Sequence, residues 1–178
     1  METIEKSIEV DAPLSKVYNQ WTQFETFPEF MEGVREVRQV DDKHLHWVAE
    51  IGGTRKEWDA EIVEQQPDKR IAWKSTEGAT HSGVVQFQAK DQDRTVITLR
   101  MEYEPGNALE KLGYKLGILS RRIEGDLERF RTFIQHRRTE TGAWRGEVHQ
   151  GKVMDSGHEM DQPGGPRGYG TSGKSGLN

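Results

Sequence analysis

The 178-residue sequence predicts an α+β domain in which a curved antiparallel sheet of about seven strands wraps on one long C-terminal helix, with two short helices after the first strand. Three observations carry this. Residues 34–103 read as successive runs alternating apolar and polar side chains, the period of half-buried strands. From Asn107 the apolar positions Leu109, Leu112, Leu116, Leu119, Ile123, Leu127, Phe130 and Ile134 recur at steps of three and four, one stripe of an amphipathic helix. A sheet with one wet face must bury the other, and this helix is the only large amphipathic element available to cover it.

The elements follow in order. Ile4, Ile8 and Val10 alternate with Glu5, Ser7 and Glu9, giving a strand. Asp11, Ala12 and Pro13 start a short helix carrying Val17, Tyr18 and Trp21, since proline is tolerated in a first turn. The aromatic stretch FETFPEFMEG, interrupted by Pro28, predicts short helical turns. LHWVAEI and WDAEIVE flank Gly52 and Gly53, a hairpin signal; RIAWKS, GVVQFQA and TVITLRMEY follow after turn residues. The phase that gathers the apolar residues points Leu45, Trp47, Ala49, Trp58, Ala60, Ile62, Ile71, Trp73, Val85, Phe87, Ile97, Leu99, Met101 and Tyr103 to one face. Pro105 and Gly106 precede the long helix, Asn107 and Glu110 make a capping-box pair, and Arg129, Arg131, Arg137 and Arg138 crowd its far end, where cations suit the helix dipole.

Composition sets the boundaries. Hydrophobic residues make up 33% and charged residues 31%, and mean hydropathy is −0.87, so no stretch approaches the roughly 18 apolar residues of a membrane-spanning helix. The N-terminus lacks a basic start followed by an apolar core, so the expected address is cytoplasmic. Without cysteine there is no disulfide, thiolate nucleophile or cysteine-ligated metal. A net charge of −5 argues against nucleic acid as partner. Residues 1–138 are read as a ligand-binding domain. Residues 139–178 are read as a Gly-rich tail, mostly disordered, the disordered part running from about Gly151 to Asn178, with Trp144 able to dock back as part of an extended segment.

The residues SIEVDAPLSKVYNQWTQFETFPEFM, HWVAEIGGTRKEWDAEIVEQQPDKRIAW and the closing DLERFRTFI resemble the polyketide cyclase/dehydrase branch of the START-like, helix-grip (SRPBCC) superfamily. That superfamily also holds the birch-pollen-allergen fold and coenzyme Q-binding START domains. The resemblance covers about residues 1–138, and its N-terminal strand, DAP, helix, Trp and FPEFM pattern is the specific part. It implies a hydrophobic cavity between sheet and long helix that admits lipids, isoprenoids, polyketides or fatty-acid-like molecules. It does not imply one reaction.

Core packing accounts for any one tryptophan, but Trp47, Trp58 and Trp73 together on neighbouring inward-facing strands suit an aromatic-lined pocket. Trp21, Phe24 and Phe27 from the N-terminal helices, Phe87 and Met101 from the sheet, and Leu112, Gly113, Leu116 and Gly117 from the long helix complete the expected ligand-binding set. The two glycines cost helix propensity and would leave room for ligand or allow close helix–sheet contact. Phe24, Phe27, Phe30 and Met31 gate the cavity mouth or form a satellite core. His44 and His46 share a strand face, but it is the wet one and offers no third ligand, so no metal is expected. His81, Lys6 and Tyr103 are the acid/base candidates, with Lys6 at the sheet rim as the plainer alternative. No cofactor is implied.

Three functions fit. The first is non-catalytic binding of a hydrophobic small molecule or lipid, and the second is a cyclase or dehydratase using the same cavity. The third is an interaction module acting through a flexible tail, with the cavity filled. The partner implied is the hydrophobic ligand. Transient contact with a membrane is compatible with it, and the oligomeric state stays open.

Overall fold

A computed structural model describes residues 2–51, 53–78, 80–103 and 116–155. The elements are β1 (Glu2–Val10), α1 (Leu14–Trp21), a 3-10 helix (Phe24–Glu29), β2 (Val34–Gln39), β3 (His44–Ile51), β4 (Thr54–Gln66), β5 (Arg70–Glu77), β6 (His81–Asp91), β7 (Arg94–Tyr103), α2 (Leu116–Gln135), β8 (Glu147–His149) and β9 (Lys152–Asp155). The main sheet runs β1-β7-β6-β5-β4-β3-β2, with β8 and β9 attached beside β4. Every pairing is antiparallel. The seven-stranded path is the expected one; the additional hairpin comes from residues assigned to the tail.

Local chemistry places the short elements. Pro13 is extended and precedes α1, and Pro28 sits inside the 3-10 helix, where the chain makes one tight turn and not a longer helix. Gly53 takes a positive φ of 79° in the β3–β4 turn, a conformation a side chain would resist. One face of the sheet and α2 then enclose a core containing Ile62, Ile71, Val85, Ile97, Leu127, Phe130 and Ile134, each at most 2% exposed. A β-bulge between Ile62 and Glu64 shifts the alternation. Past it Gln65 is buried, and its Nε2 donates to the Tyr18 hydroxyl at 3.2 Å. Burial pushes the Tyr18 phenol up to about 12.

The structure departs from expectation at the far end of the helix and in residues 139–155. The start expected at Asn107, with Glu110, Leu112 and Gly113, lies outside the described residues. α2 ends at Gln135, so Arg137 and Arg138 lie beyond it. Arg129 is engaged differently from a dipole-capping cation: its Nε donates to the Phe30 carbonyl at 2.9 Å and its guanidinium pairs with Asp126.

Residues 139–155 are not a free tail. The Thr141 backbone N–H donates to Oε1 of buried Gln20 at 2.8 Å. Trp144 packs on the core, and Arg145 makes a two-pronged pair with Asp68 at 3.0 and 2.8 Å. Val148 is fully buried opposite Gln65. Glycine content suggests disorder only while the apolar residues between the glycines lack a receptor. Here α1 and β4 provide one.

Candidate functional site

The sheet rows explain how side chains converge. Trp47 stands opposite Trp58 on β3 and β4, and their rings stack with centroids 5.7 Å apart and planes 11° from parallel. Two same-face positions further along β4, Ile62, Trp73, Gly83 and Met101 form a row across β4, β5, β6 and β7. From α2, Leu119, Ile123 and Leu127 point back at this face, and α1 with the 3-10 helix closes one side with Trp21, Phe24 and Phe27. The cavity they border, partly open to solvent, measures about 200 Å³.

Of the expected ligand set, Trp21, Phe24, Phe27, Trp47, Trp58, Trp73 and Met101 line this cavity. Phe87 does not: it is core, with its ring edge-on to Tyr18 at 5.3 Å and to Trp21 at 6.0 Å. Gly117 is exposed, and a side chain there would meet nothing within 4 Å. At 100° per residue, it sits about 200° round the helix from Leu119, facing away from the sheet. Leu112 and Gly113 lie outside the described residues, as does the side chain of Leu116. Phe24, Phe27 and Phe30 are at most 4% exposed and join in an edge-on chain that reaches Phe130, so of the two expected roles, gate or core, these three rings have the packing of core.

The acid/base candidates separate. Lys6 is off the wall: its Nζ reaches Glu124 of α2 at 3.4 Å, partly open to solvent. The Tyr103 hydroxyl donates to Glu2 at 2.7 Å, also off the wall. His81 alone is on it, edge-on to Trp58 at 6.2 Å. Its backbone N–H donates to Ser75 Oγ at 3.0 Å, while the ring Nδ1 is buried without a hydrogen-bond partner. Burial pushes the imidazole down to about 4, so the ring is neutral at neutral pH.

Sequence reasoning missed the polar mouth. Glu32, Arg122 and Asp126 border the cavity. Arg122 donates to the Glu32 carbonyl at 2.5 Å, and Asp126 accepts the Glu32 backbone N–H at 3.2 Å together with the Arg129 guanidinium. Burial pushes the Asp126 carboxyl up, against the pull of these bonds. The helical spacing of Arg122, Asp126 and Arg129 was readable, but the backbone it grips is remote in sequence. His44 and His46 bond to Asp41 and Asp59 through Nδ1 at 2.8 and 2.7 Å. No group of three His, Cys, Asp or Glu among the described residues could hold a metal ion.

Residues 10–132 match the family described as polyketide cyclase / dehydrase and lipid transport. The chain is 51% identical over 149 residues to an uncharacterized 17.2 kDa protein of Streptomyces lincolnensis, covering 83% of this chain and 99% of the relative. Among solved structures it is similar to the Zhui aromatase/cyclase of a Streptomyces species, with TM-score 0.65 at 17% identity over 80% of this chain and 98% of that one. A START superfamily protein of Mycobacterium smegmatis superposes with TM-score 0.55 at 18% identity, over 71% and 97% of the two chains. The chain therefore belongs to the polyketide cyclase/dehydrase and lipid transport family, and it shares the helix-grip fold of these two solved structures. Membership places it with proteins that bind hydrophobic ligands or cyclise them. No helix among the described residues is long and apolar enough to cross a membrane.

Proposed function

We propose that the protein binds a hydrophobic small molecule or lipid, without transforming it, in the cavity between the sheet and α2. The observation that carries this is a wall built from three strand tryptophans and aliphatic side chains around about 200 Å³ of space. An apolar cavity of this kind is poorly hydrated, so an apolar guest gains burial without displacing well-held water. An interaction module with a filled core would have no such space. Solvent extraction of freshly purified protein followed by mass spectrometry tests the reading, together with titration of naphthalene against tryptophan emission. A co-purifying apolar compound, or saturable emission change, is the expected result. Absence of both overturns it.

A second reading, cyclisation or dehydration of a bound polyketide-like chain, draws support from His81. A neutral imidazole with a free nitrogen beside an apolar guest is equipped to move a proton. Turnover of a poly-ketone thioester that disappears in His81→Phe, with binding retained, would favour this reading over simple carriage.

A further inference from the structure

The row Ile62, Trp73, Gly83 and Met101 contains one residue without a side chain, and the gap is not empty. A Cβ built on Gly83 would lie 2.3 Å from Cζ2 and 2.5 Å from Cη2 of Trp73. The benzo edge of the Trp73 indole therefore lies across Gly83 on the neighbouring strand. The same Cβ would stand 3.0 Å from the Arg100 carbonyl oxygen, which denies it sideways relief. An added methyl group must displace that edge of the indole, and the open space beside Trp73 is the cavity it lines. We propose that Gly83 is a positioning residue that sets the size of the ligand, holding Trp73 down on the sheet and so keeping the cavity open to a compact planar molecule of one or two fused rings.

This deepens the binding reading and rests on it. The size class follows from volume: an apolar cavity of about 150 Å³ accepts one benzene ring, and this one measures about 200 Å³. The shape class follows from the near-parallel Trp47 and Trp58 rings and the Trp73 indole on the same lining, aromatic surfaces that match planar guests by offset stacking. Glycine in a strand interior weakens the strand and often marks a close approach of another group. Here the approaching group is the indole itself.

The test measures binding of toluene, naphthalene and anthracene by calorimetry in four full-length proteins: wild type, Gly83→Ala, Trp73→Leu and the double variant. Wild type is expected to take toluene and naphthalene and to exclude anthracene. Gly83→Ala should keep toluene and lose naphthalene affinity by about tenfold or more, the penalty of overpacking a filled site. The double variant should regain naphthalene, which a merely structural glycine would not produce. A folded Gly83→Ala that binds naphthalene as wild type does, or a folded double variant that fails to regain it, overturns the proposal. If Gly83→Ala does not fold, Trp73→Leu decides: uptake of anthracene supports it, and continued exclusion overturns it. A wild type that takes none of the probes overturns the binding reading itself, and the proposal with it, whereas the variant outcomes leave that reading standing.

Discussion

Acidification from pH 7.5 to 4.5 is expected to cost the fold about 2.5 kcal/mol through His81 alone. The folded imidazole is pushed down to about 4 by burial, and an unfolded histidine titrates near 6.5. Between these values the unfolded chain binds a proton that the folded protein refuses. The contribution is therefore fully present above pH 6.5 and is lost progressively as pH falls toward 4. The full shift corresponds to about 3 kcal/mol, of which most is spent by pH 4.5. Burial is the one cause of the shift, and the Trp58 indole stands edge-on to the ring. Urea unfolding at both pH values, followed by circular dichroism, reads the effect as a difference between wild type and His81→Phe. Carboxylate titration is common to both proteins and cancels in that difference. Parallel losses in the two proteins would refute the argument and mean that His81 opens to water in the folded state.

Two further predictions concern elements where composition and packing disagree. A chain ending after Asp155 should keep the melting temperature of the full protein. One ending after Arg138 should fall well below it on a thermal scan, because it uncovers Val148's site and leaves buried Gln20 without Thr141; equal melting of the two would refute the docking. Gly117→Leu should leave naphthalene binding unchanged and raise stability by about 0.5–1 kcal/mol through helix propensity, since the position meets open space; loss of probe binding in the same titration would put Gly117 back on the cavity wall.

Much of the site was legible because strands report their faces locally. Trp47, Trp58, Trp73 and Met101 line the cavity for the reason their phase predicted: a two-residue period leaves no choice of side once one neighbour is buried. Phe87 shares that phase, yet packs on Tyr18 and Trp21. Phase identifies the face of a strand and not the position along it, and the cavity occupies only part of the face. Gly117 shows the analogous limit on a helix, where a missing side chain announces space without saying on which side.

Periodicity, punctuation and composition by themselves determined an antiparallel sheet with one apolar face, two short N-terminal helices, a long covering helix and the absence of cysteine chemistry, all properties of residues near one another in the chain. Tertiary structure alone decided what depends on distant segments meeting. Trp73 lies over Gly83, Arg122 and Asp126 grip the backbone of Glu32, and residues 139–155 find their place on α1 and β4. A hydrogen bond or a close contact has no signature in either partner's own sequence neighbourhood, because its energy comes from a neighbour the fold brings there.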